Sequence, residues 1–402
     1  MRISTSSLYS DNITTLNNLQ TQVSQTQQQI ATGRRILNPA DDPAAAARAA
    51  ELTQSDSANT QYGNNRTAAI NTLSLAEGVM QSVTTLLQDA RVIALDAGNG
   101  ILSDSSRRSL ATELQGRLQE LQGLANSGDG AGNFLFSGSQ GSTQPFVNVA
   151  GGVVYQGDDV QRKVQAAASR QINTTDSGAD IFMRIRNGNG QFQAAPAAGN
   201  TGTGSISQGT VTNPALYNNN SYQIVFTSAT TYDINDVTAG PPVLVSSGTY
   251  VSGQTISFNG VQVAIQGAPA AGDTFNLTPS TNQSLFTTLS DLISTLNASI
   301  PSTNAMTSVA YRQGLNDAYG ALDQGLSNVL NIRATMGSRL RELDALQVTG
   351  DEVGLQLKTT LSKIQDTDYN KAISELSLEN MTLQAAQQSF AKVSQLSLFN
   401  YL

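Results

Sequence analysis

Side chains able to do covalent chemistry are scarce in this sequence. Its 402 residues include no cysteine and no histidine, which removes thiolate nucleophiles, disulfides, sulfur-ligated metals and the commonest general base and metal ligand. Carboxylate, hydroxyl and amide chemistry remain. Two adjacent carboxylates stand at Asp41-Asp42, a pairing that can ligate a metal. Their context favours a backbone role instead. Pro39 stops a preceding helix, Asp42 occupies an N-cap position, Pro43 fits the first helical position, and the run Ala44 to Ala47 continues as a helix former. Gly128-Asp-Gly-Ala-Gly132 is too short and wrongly placed for a phosphate loop and reads as a turn. Asn-x-Ser/Thr sequences at Asn65 and Asn276 are expected by chance in so Asn- and Thr-rich a chain. No catalytic, cofactor or metal site is expected.

Composition narrows the partners. Charged residues make up 13%, about half of the usual quarter, and the net charge is −8. Without a basic stripe there is no attraction to nucleic acid or to an anionic membrane. No stretch approaches eighteen apolar residues, so no membrane span is expected. The start, Met1-Arg-Ile-Ser-Thr-Ser-Ser-Leu-Tyr-Ser10, lacks the apolar core of a secretory signal; taken alone it points to the cytoplasm.

The elements that must position these residues follow from proline placement. No proline lies between Pro43 and Pro145, and none follows Pro301, so both ends can form long helices. Between about 130 and 283 prolines recur among Gly, Asn and short β-branched runs. Tyr222–Phe226, Val243–Val245, Ile256–Phe258 and Val261–Ile265 have the spacing of an antiparallel sheet. The predicted fold is mainly α with an inserted all-β domain. Long N- and C-terminal helices pair as a coiled coil or bundle, and the antiparallel β domain is central.

Periodicity supports the helices. Leu73, Ala76, Met80, Val83, Leu87, Ala90 and Ala94 recur at spacings of three and four; Leu315, Leu322, Val329, Met336 and Leu343 are seven apart. Both sets read as a core within one subunit. At the ends, Leu16, Leu19, Val23 and Ile30 form one stripe. Leu376, Leu383, Phe390 and Val393 form another. From Asn12 to Gly33 no residue is charged, and after Glu379 only Lys392 is. Solvated coiled coils normally flank the seam with Glu and Lys. Stripes this thin are expected to need neighbours in order to fold, so these eight residues are the predicted subunit-assembly interface.

Gly33-Arg-Arg-Ile followed by Asp41-Asp42-Pro-Ala resembles the N-terminal signature of the flagellin family. Ile364-Gln-Asp-Thr-Asp-Tyr369 is similar to its C-terminal signature. Together with the helical arms, the likeness covers about the first 130 and last 120 residues. Three features lean towards the hook–filament junction branch of the family: the start Met1-Arg-Ile-Ser-Thr, the run Gly132–Gly138 leading to Pro145-Phe146 and Tyr155–Asp158, and the ending Leu396–Leu402.

The resemblance implies a structural subunit of the flagellum, exported unfolded by the flagellar type III system and secreted to the extracellular axial structure. It also implies three domains. Segments 1–42 and 366–402 would form a terminal assembly domain. Segments 43–180 and 284–365 would form a helical bundle with a β-hairpin region at about 130–170, and 181–283 an outward-facing β domain. Implied partners are a hook-associated protein on the hook side, flagellin on the filament side, further copies in a ring, and an export chaperone. A filament subunit is the alternative within the family. A surface adhesin or glycan-binding module is the alternative of another class, with Tyr222, Phe226, Tyr232 and Tyr250 lining a sugar site; packing at alternate positions of a β core is the favoured reading of these aromatics.

Overall fold

A computed structural model describes residues 5–99, 102–298 and 305–395. Six helices carry the ends of the chain: α1 (Thr5–Thr32), α2 (Pro43–Ala97), α3 (Asp104–Ala125), α4 (Leu285–Asn297), α5 (Ala305–Gln365) and α6 (Tyr369–Gln395). Met1–Ser4 of the start and the ending Leu396–Leu402, which carried part of the resemblance, lie outside the described residues. The chain divides into two compact units, residues 1–65 with 345–402, and residues 66–344. These divisions fall inside α2 and α5, whereas the sequence suggested the turns near 42 and 366.

In the unit 66–344 the two periodic stripes become core. Leu73, Met80, Val83, Leu87, Ala90 and Ala94 are all buried, as are Leu315, Leu322, Val329, Met336 and Leu343. Polar contacts tie the two helices here. Tyr319 and Tyr311 donate their hydroxyls to the carbonyls of Ala94 and Ala97 at 2.9 and 2.7 Å. The Arg333 guanidinium meets Glu77 at 2.7 Å. α3 lies beside α4, begun by the Ser103 hydroxyl, which accepts from the Ser106 N–H. Two hairpins follow α3, pairing Phe146–Val149 with Gly152–Tyr155 and Lys163–Ala167 with Arg170–Asn173. Phe146, Phe182 and Phe286 close over each other with centroids 5.2 to 6.1 Å apart.

The inserted β region is antiparallel. One sheet has five strands, in the spatial order Val243–Thr249, Thr231–Asp236, Tyr222–Ser228, Thr274–Pro279 and Phe192–Pro196. A smaller sheet is built on Val261–Gln266, paired with Thr255–Phe258 on one side and with two short strands on the other. The faces of these strands alternate as the pleat requires: Tyr222, Ile224 and Phe226 point into a core shared with Val261, Val263 and Ile265. The chain enters and leaves this region through two adjacent strands, Ile185–Arg186 and Asn282–Gln283, paired antiparallel.

Candidate assembly interface

The Gly33–Pro43 segment folds by satisfying its own backbone. Asp42 accepts the Ala45 N–H at 3.0 Å and α2 begins at Pro43, as capping requires. Asp41 accepts the N–H groups of Leu37 and Asn38 at 3.0 and 2.9 Å. Both carboxylates are thus used on main-chain donors. The glycine-rich turn behaves alike: Asp129 accepts N–H groups from Ala131 and Asn133. Those bonds, with the Asn133 side-chain amide first among them, hold its carboxyl below the usual range. Among the described residues no three of His, Cys, Asp and Glu converge as a metal site would need.

The two terminal signatures bond to each other. Arg35 donates its N–H to the Gln365 carbonyl at 2.7 Å, and Thr367 donates its own to the Gly33 carbonyl at 2.9 Å. The Arg35 guanidinium reaches the Ile364 carbonyl at 2.9 Å and Asp42 at 3.5 Å. Gln29 donates to the Arg35 carbonyl at 2.8 Å, and the Thr367 hydroxyl to the Gln29 carbonyl at 3.3 Å. Gly33 makes this crossing possible. Its φ of +70° is left-handed, and a Cβ there would stand 3.0 Å from the Tyr369 hydroxyl.

From this knot α1 and α6 run antiparallel. At the near end the backbones of Arg34 and Asp366 pair in an isolated antiparallel bridge; near the far end the rings of Tyr9 and Phe390 meet with centroids 5.2 Å apart. With equal rise in both helices, this register sets Leu16 level with Leu383 and Val23 level with Leu376. Val23 is buried, at 8% exposure; Leu16, Leu19, Ile30, Leu376, Leu383 and Phe390 are half-buried. Val393 continues α6, but its side chain lies outside the described residues. Extending each stripe by one seven-residue step brings in Tyr9 and Tyr369, which the sequence reading had not placed on it. Ala372 and Thr26 complete the buried part.

From Asn12 to Gly33 the flanks of α1 lack charge, and hydroxyls of α1 turn back onto their own helix: Thr14, Thr15, Thr21 and Thr32 each donate to the carbonyl four residues earlier. Among the described residues no ion pair joins α1 to α6; the pair on α6 is Lys371–Glu375, within one helix. Outside the seam apolar surface stays uncovered. Ile13 is 47% exposed, Ile373 53%, Leu378 64% and Met381 67%.

The aromatic residues offered for a sugar site are placed otherwise. Tyr222 and Phe226 are about 1% exposed in the β core, and Tyr232 and Tyr250 pack against it. None of the four forms an open platform on which a sugar could stack.

Terminal helices knotted by paired signatures, with a β domain inserted between helical arms, define a subunit of the flagellin class. Residues 3–141 match the bacterial flagellin N-terminal helical region. The chain is 29% identical over 399 residues to flagellar hook-associated protein 3 of Salmonella typhimurium, covering 99% of each. It is also similar to FlgL of Xanthomonas campestris, 33% identical with a TM-score of 0.72, over 77% of this chain and 99% of that one. The flagellar junction protein FlgL of Legionella pneumophila is 31% identical with a TM-score of 0.70, over 80% of this chain and 100% of that one. The chain belongs to the FlgL family of flagellar hook-associated proteins.

Proposed function

We propose that this chain is a structural subunit of the bacterial flagellum that joins hook to filament, and that it does so through the α1–α6 pair. The observation that carries this reading is the knot between the two signatures combined with full-length similarity to a hook-associated protein 3. A hairpin with an apolar seam, no fixing charge pairs and an uncovered apolar flank suits packing against like helices. Sequence similarity supports export by the flagellar type III route, handled by a chaperone, to a ring of copies. That ring would lie between a hook-associated protein below and flagellin above. No chemistry is required of it.

The test is complementation together with assembly in vitro. Expressed in a strain lacking its own hook-associated protein 3, the chain is expected to restore filaments. Added to purified hooks that carry the preceding hook-associated protein, it is expected to stop after a short cap. Growth of long filaments from the purified chain alone would instead make it a filament subunit.

A further inference from the structure

A cavity of about 450 Å³ opens where the β region meets α4 and α5. The β region contributes only neutral groups to the wall, including Asn187, Gln193 and Gln208; α4 contributes Thr295 and Asp291, and α5 contributes Asp317. These two carboxylates are the titratable groups facing the space, and no Lys, Arg or aromatic residue lines it. Each carboxylate is held by one oxygen. Gln283 donates to Asp291 Oδ2 at 3.2 Å, and Gln313 donates to Asp317 Oδ1 at 2.9 Å. Asp291 Oδ1 and Asp317 Oδ2 accept no protein donor among the described residues; Asp291 is exposed and Asp317 half-buried. Burial raises both carboxyls, that of Asp317 to about 6. Asp317 is therefore anionic above that pH, and each carboxylate keeps one oxygen free and has no ion-pair partner among the described residues.

Two carboxylates that each already accept one amide donor, without a third acidic ligand, make a poor metal cage. The absent aromatic face disfavours a stacked sugar. A cavity with an uncompensated pair of anions and neutral acceptors around them matches an organic cation, whose N–H donors supply charge and hydrogen bonds at once. We propose that this cavity is a binding site for a primary ammonium or guanidinium group, held between Asp291 and Asp317.

The experiment is titration of the full-length monomer with 1,4-diaminobutane, followed by calorimetry and by amide shifts of Gly188 and Gly314. Saturable binding at pH 7.5 is expected, with 1,4-butanediol giving none. Affinity is expected to fall about tenfold or more at pH 5, and in D291N and D317N, which keep the side-chain shape; their melting curves report that they fold. No saturable binding, equal binding of the diol, or binding unchanged by both substitutions and by pH overturns the proposal. Assembly of the double variant then separates two sources of the cation. Unimpaired assembly identifies a free amine, and impaired assembly identifies a basic side chain offered by an adjoining subunit.

Discussion

The ring of Tyr9 meets that of Phe390 edge-on, with centroids 5.2 Å apart and planes at 72°, although the two residues stand near opposite ends of the chain. Tyr9 is still 41% exposed. Such a pair contributes about 0.5–1.5 kcal/mol beyond its buried area, too little to order two helices without further packing. Phe390→Asp is therefore expected to leave the main unfolding transition of the monomer within a degree or two, because the core lies in residues 66–344. It is expected to block incorporation into the flagellum. Met80→Asp is the control: Met80 is fully buried, and an unpaired charge there costs several kcal/mol. If Phe390→Asp lowers monomer melting as far as Met80→Asp does, the terminal pair folds within the subunit and the assembly role fails.

Gly33 tests the knot. Any L side chain at φ +70° carries strain of about 1–2 kcal/mol, and its Cβ would press on the Tyr369 hydroxyl. Gly33→Ala is expected to speed amide exchange at Arg35 and Thr367, whose N–H groups cross between the signatures. Tyr369→Phe in the same background removes the obstructing oxygen and is expected to restore part of the loss. Unchanged exchange in Gly33→Ala would show that the crossing does not hold the two helices.

Much of this was legible in the sequence for physical reasons. Burial of Leu322, Val329 and Met336 follows from a seven-residue repeat, which only a helix can place on one side. The cap at Asp42 follows from Pro43 after it. What the sequence hid were contacts between distant segments. Nothing local announces that Arg35 bonds the Gln365 carbonyl, since each motif reads as a separate turn. Tyr9 and Tyr369 were missed because the stripe was begun at Leu16 and Leu376, though one earlier step of seven reaches each. The cavity beside Asp317 was invisible, because its wall draws on strands and helices far apart in the chain.

Asp176 and Arg339 form a largely buried pair, with both carboxylate oxygens bonded by one guanidinium nitrogen at 2.8 and 2.9 Å. Their side chains are 10% and 16% exposed. Removing one partner of such a pair leaves a charge without compensation and costs about 3–5 kcal/mol. Asp176→Ala is expected to destabilise the monomer by that order in urea unfolding. The double change to Asp176→Leu with Arg339→Met is expected to recover much of it. A double variant as unstable as the single one would assign the effect to packing and not to charge.

Asp317 sets a pH dependence of definite sign. Burial raises its carboxyl from 3.8 to about 6 in the folded chain, so between these values the unfolded chain releases a proton that the folded one keeps. Stability is then greatest below about pH 4, falls as pH rises to about 6, and is level above. A rise of that size corresponds to at most about 3 kcal/mol, and partial solvent access reduces it. Asn keeps the acceptor for Gln313 but cannot ionise. Asp317→Asn is expected to be more stable than the parent by about 1–3 kcal/mol at pH 7.5, with the difference vanishing near pH 4. A constant difference across that range would rule out the titration of Asp317 as its cause.

The β region can be removed to ask which part assembles. Entry and exit lie side by side: Arg186 pairs with Asn282 and Ile185 with Gln283 in one antiparallel ladder. A two- or three-residue turn can therefore replace residues 187–281 without moving either strand end. The excision does break contacts with α5, where Ile206 donates its N–H to Gln313 at 3.0 Å and Gln208 donates to the Asn316 carbonyl at 2.7 Å. It also exposes Ala318 and Ala321, which line the cavity. These are few and small, while the phenyl cluster of Phe146, Phe182 and Phe286 stays intact. The shortened chain is expected to melt a few degrees lower in one transition, to be exported, and to enter the axial structure. It is also expected to weaken diamine binding, since Asn187, Gly188, Gln193, Ala194 and Gln208 leave the cavity wall while Asp291 and Asp317 stay. Normal export with complete failure to incorporate would place the assembly contacts in the β region and refute their assignment to the α1–α6 pair.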